Sequence, residues 1–89
     1  MVFFALTRSG YQELVSILGR TPSPIWVSEG VLTDAEIAKL HSADIDVSNF
    51  TSVIDGNSVE EVEEAIETIK LHHPGQSVWV EHGAEKNEL

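Results

Sequence analysis

The chain has 89 residues, 42% of them hydrophobic, with no cysteine and 15 acidic against 5 basic side chains, a formal charge of -10. That length carries one hydrophobic core, and the lack of cysteine removes disulfide frameworks, thiolate metal sites and cysteine nucleophiles. The acidic excess repels phosphate backbones and anionic membranes over a screening length of roughly 8 Å at physiological salt, so nucleic acid and membrane are not expected partners, whereas a basic protein suits the charge.

Val2 to Leu6 is a continuous apolar run with two aromatic residues, ending at Thr7-Arg8-Ser9-Gly10, and it predicts a buried strand. It is too short for a signal-peptide core or a membrane span and has no basic residues before it, so a cytoplasmic protein is expected. Ser9 and Gln12 stand in capping-box spacing, and Tyr11, Leu14, Val15 and Leu18 then recur at helical intervals up to Gly19, which is suited to a left-handed cap. Ile25-Trp26-Val27 is the second strand, closed by Ser28-Glu29-Gly30. Thr33 and Glu36 open a second helix running to about Ser42, and a third strand is expected over about 45–51.

Asp55-Gly56-Asn57 is a turn signal ahead of Ser58 and Glu61, a third pair in capping-box spacing. From there Val59, Val62, Ala65, Ile66 and Ile69 mark one apolar face of a helix, with glutamates on the other, until Pro74-Gly75 ends it. Val78-Trp79-Val80 is the fourth strand. Residues 1–83 are read as a single α/β domain, and 84–89 as a flexible acidic tail.

Strand and helix alternate strictly, which predicts a four-stranded, mainly parallel sheet with helices on both faces, as in half of a doubly wound fold. The favoured strand order is 2-1-3-4; a two-layer arrangement with one antiparallel strand is the alternative. In the favoured order the second and fourth strands are the edges. They carry Trp26 and Trp79, and an apolar edge free of lysine and proline can pair with a second chain, so a homodimer through either is an expectation.

Open parallel sheets bind ligands beyond the carboxyl ends of their strands. The residues expected there as a ligand-binding rim are Thr7, Arg8, Ser9 and Gly10, with Glu29, Thr51 and His82. The first four supply what an anion cradle needs: a guanidinium, two hydroxyls, a permissive glycine and free amides at a helix start. Glu81 and His82 could form an acid/base pair, but adjacent strand residues point to opposite faces. The pair His72-His73 has no third ligand at a characteristic spacing, so no metal is expected and the two read as the C-terminal cap of the third helix. No dinucleotide, phosphate-loop, serine-hydrolase or zinc-protease motif is present, so no cofactor and no catalytic residue are assigned. The leading functional expectation is a non-catalytic interaction module, the second a small-anion or nucleotide-phosphate binder using Thr7 to Gly10, and the third a small hydrolase-like enzyme.

Overall fold

The computed structural model describes residues 1–81; His82 and the expected tail lie outside the described residues. The elements alternate as β1 (Val2–Ala5), α1 (Arg8–Leu18), β2 (Ile25–Val27), α2 (Asp34–Ser42), β3 (Val47–Asn49), α3 (Val59–His72) and β4 (Val78–Val80). All four strands are parallel in one sheet, in the order β3-β2-β1-β4. The α/β class and the parallel sheet stand as expected, but the order 2-1-3-4 does not.

The difference follows from which strands can be buried on both sides. β1 and β2 are apolar at every position and almost wholly buried, which suits interior strands. β3 reads Val-Ser-Asn, and its two polar side chains suit an edge. Trp26 is therefore not on an edge. It sits on an interior strand at 8% exposure, its ring tilted against Phe50 and His72 and its indole N–H donating to His73 Nε2 at 3.2 Å. The histidines at the end of α3 do more than cap it, since they close the core over this tryptophan.

Two steps in one direction, β1 to β2 to β3, put α1 and α2 on one face. The return step from β3 past β1 to β4 puts α3 on the other, as right-handed crossovers require. The core is accordingly split by the sheet. Ala5, Leu14, Ile25, Val27, Val31 and Leu32 pack beneath α1 and α2, whereas Val2, Phe4, Trp26, Ala65 and Ile69 pack beneath α3. Among the described residues no helix is long and apolar enough to cross a membrane.

The helix starts agree only partly with their sequence signals. α2 has the expected capping box between Thr33 and Glu36. α1 is capped ahead of Ser9: Thr7 is the N-cap and its side chain accepts from the Gly10 amide. At α3, Ser58 accepts from the Glu61 amide, but the Glu61 carboxylate turns away to accept from the Asp55 amide at 2.9 Å, so the reciprocal half of that box is absent. Gly19 closes α1 at φ 75°, its N–H donating to Val15, a conformation that favours glycine.

Ser28, only 1% exposed, ties the two interior strands to the loop after β3. Its amide donates to the Ala5 carbonyl, and its hydroxyl oxygen accepts from the Ile54 amide at 2.8 Å. Substituting Ser28→Ala leaves the Ile54 amide without its acceptor, and the expected cost is about 1–3 kcal/mol, to be read as a lower urea midpoint at unchanged slope.

Candidate functional site at the strand ends

Because all four strands run the same way, their carboxyl ends form one rim. The order 3-2-1-4 reverses at β1, and the crevice between β1 and β4 is the topological switch point at which doubly wound sheets hold their ligands. The start of α1 lies beside it, with the amides that open a helix facing outward.

That position is already filled by the chain itself. The first residue after β4 is Glu81, whose amide continues the ladder to the Phe4 carbonyl at 2.9 Å. Its carboxylate turns onto the end of β1: Oε1 accepts from the Leu6 amide at 2.7 Å and the Thr7 amide at 2.9 Å, and Oε2 accepts from the Thr7 hydroxyl at 2.6 Å. The Thr7 hydroxyl gives its one proton to Glu81 and accepts from the Gly10 amide at 3.0 Å. Ser9 is 3.3 Å from the same oxygen, which leaves its own hydroxyl as the donor. The anion expected in this cradle is thus a side chain of the protein.

Gly10 has a different role from the one expected of it. It lies inside α1 rather than in a loop, and a Cβ built on it would overlap the Glu81 carboxyl group. Glycine makes room here for the carboxyl group in its hydrogen-bonded position, and not for an unusual backbone angle.

Arg8 does not join the cradle. Its guanidinium faces α2, where it forms a two-pronged pair with Glu36, NH1 to Oε1 at 2.5 Å and NH2 to Oε2 at 2.6 Å, and also donates to the Val31 carbonyl at 3.1 Å. The hydrogen bonds from Arg8 and from the Thr33 amide hold the Glu36 carboxyl down at about 2; the same pairing raises the guanidinium above its ordinary value. Both groups are exposed to solvent.

Glu29 is placed at the far side of the rim, accepting from Asn49 Nδ2 at 2.7 Å. The same Asn49 nitrogen donates to the Phe50 carbonyl, and its Oδ1 has no partner among the described residues. Thr51 is exposed and makes no side-chain hydrogen bond with the described residues. The structure therefore brings Thr7, Ser9 and Gly10 together, sends Arg8 to α2, and leaves Glu29 and Thr51 in separate surroundings; His82 lies outside the described residues. The partners missed by sequence reasoning are Glu81 as an internal ligand and Glu36 as the counter-ion of Arg8. A glycine within the first turn of a helix that follows a parallel strand is a signal for the first; nothing local points to the second. No three His, Asp or Glu side chains converge as a metal-binding group among the described residues.

Compared with known proteins, the chain matches no family model, no curated sequence and no solved structure. Its chemistry has to be read from its own geometry.

Glu81→Ala leaves the Leu6 and Thr7 amides without their charged acceptor, and the expected loss is about 2 kcal/mol. Gly10→Ala in a helix ordinarily stabilises by up to about 1 kcal/mol. Here it is expected to destabilise, and to regain its ordinary sign when Glu81 is also alanine; urea unfolding of the four-member cycle checks this. For Glu36, a depressed carboxyl contributes stability above the ordinary glutamate value of roughly 4.3, and that contribution is lost as pH falls toward about 2. Carboxyl-carbon NMR is expected to show Glu36 titrating near the bottom of that window in the wild type, and moved upward but still below the ordinary range in Arg8→Gln, where the Thr33 amide continues to donate.

Proposed function

We propose that this chain is a non-catalytic interaction module that pairs with a second copy of itself through β4. The observation that carries this reading is the contrast between its rim and its edge. At the rim, Glu81 engages the Leu6 and Thr7 amides and the Thr7 hydroxyl, and the nearest guanidinium, that of Arg8, is paired with Glu36. At the β4 edge, Trp79 is 40% exposed, and Ile17 and Leu18 of α1 are exposed as well. Trp79 also lines a mostly apolar crevice of about 160 Å³ with Leu14 and Ile17, bounded by Glu13 and Glu81.

The topology explains the exposure. The helices on that face, α1 and α2, connect β1 through β3, so among the described residues β4 has no helix of its own there. Trp79 pairs in register with Phe3 of β1, and the two rings meet at 6.0 Å. One side of the indole is seated against Phe3, and the other is left uncovered by the described residues. The strand holds none of the lysines, prolines or bulges that keep natural edges from pairing.

A two-fold antiparallel pairing centred on Trp79 sets the two indoles opposite each other and sets Glu81 opposite Ser77 of the second copy, so no two acidic strand residues face across the axis. A strand of three residues gives a small interface, and the charge of -10 on each copy opposes it. The association is accordingly weak, in roughly the micromolar range, and strengthened by salt.

Sedimentation across a concentration series is expected to show a monomer–dimer equilibrium that tightens as salt rises. Trp79→Lys is expected to shift it to monomer with the helix content unchanged. A wild type that stays monomeric at about 1 mM, or a dimer indifferent to Trp79→Lys, sinks the proposal.

A further inference from the structure

The opposite edge of the sheet carries a second, chemically different surface. Between α3 and the segment after β3 runs an open groove of about 340 Å³. Its apolar lining is Phe50, Ile54 and Ala65, with the hydroxyls of Ser52 and Thr68 beside it and Glu61 and Glu64 along the helix side. Phe50 is held in place by tilted contacts with Phe4 and Trp26, so the groove rests on the rigid centre of the core.

The polar groups of the groove are unevenly engaged. Thr68 donates to the backbone carbonyl of Glu64, which leaves its oxygen able to accept. One oxygen of Glu61 is taken by the Asp55 amide. The Glu64 carboxylate makes no hydrogen bond and no ion pair with the described residues. Glu61 and Glu64 are three positions apart on one helix face, a spacing at which like charges repel. A cation lying between them removes that repulsion, and only a cation on an apolar stem also covers the half-buried Phe50 and Ile54.

We infer that this groove receives an arginine side chain from a basic segment of another protein. The guanidinium pairs in two-pronged fashion with Glu64 and lies near the Phe50 ring, while its methylenes cover the apolar lining. The charge of -10 draws such a segment in. Arginine is favoured over lysine because the fork geometry and the flat face are both used. The groove adds a partner chemistry to the interaction-module reading. It lies at the other edge from β4, so its failure leaves the dimer untouched and the reverse holds too.

The test uses the full chain, ¹⁵N-labelled, titrated with acetyl-Gly-Arg-Gly-amide and with the lysine and citrulline versions of the same peptide. The arginine peptide is expected to give saturable amide shifts confined to 50–54 and 61–68. The lysine peptide is expected to bind about fivefold more weakly, and the citrulline peptide, of the same shape without charge, not to bind. Glu64→Gln is expected to weaken arginine binding about tenfold. Glu63→Gln removes the same charge from α3 outside the groove, at a position turned roughly 100° from Glu64, and is expected to change it less than about twofold. Equal losses in the two variants, shifts spread along α3, or no saturation by about 20 mM peptide overturns the inference.

Discussion

β1 is buried on both of its faces. Val2 and Phe4 point beneath α3, and Ala5 points beneath α1 and α2, so a single layer of helices could not cover it. The chain meets this demand by stepping two strands to one side and then returning past β1 to the other, and that return fixes everything else of interest. It puts α3 on the second face and leaves β3 and β4 as edges. It also brings the end of β4 against the start of α1, where Glu81 meets the Leu6 and Thr7 amides.

Glu81 shows how a general rule of fold anatomy can hold in place and fail in content. The switch point of the sheet is where the rule puts it, and it does hold an anion. The anion is covalently attached to the chain, and it takes the Leu6 and Thr7 amides where β1 passes into α1. Two groups that look like ligand-binding equipment in the sequence, Arg8 and Gly10, have structural partners: Arg8 joins α1 to α2 through Glu36, and Gly10 leaves room for the Glu81 carboxyl.

Elements whose signal is local are legible from the residues alone. All seven follow from the chain itself, with the bounds of β2, α3 and β4 set by apolar runs and by Pro74-Gly75. The Thr33 and Glu36 capping box is equally plain. Strand order is not, because the pairing of strands depends on which can lose both faces to solvent; the polar Ser48 and Asn49 in β3 hold that information, but periodicity does not weigh it. The same limit applies to the site. Thr7, Ser9 and Gly10 lie within four residues and can be grouped from the sequence, whereas Glu81 comes from 74 positions away and enters only once β4 is known to flank β1. Trp26 follows the strand order, moving from an expected edge to the core against His72 and His73.

The hold of Glu81 on Leu6 and Thr7 has a mechanical side. A chain leaving a parallel strand normally hands any pull straight to the ladder bonds of that strand, which then fail in succession. Here the departing residue is moored sideways to the neighbouring strand and to the first turn of α1, so a load applied beyond position 81 is shared among three donors before β4 begins to peel. An edge strand of the sheet is thereby anchored at its exit point to the most deeply packed one.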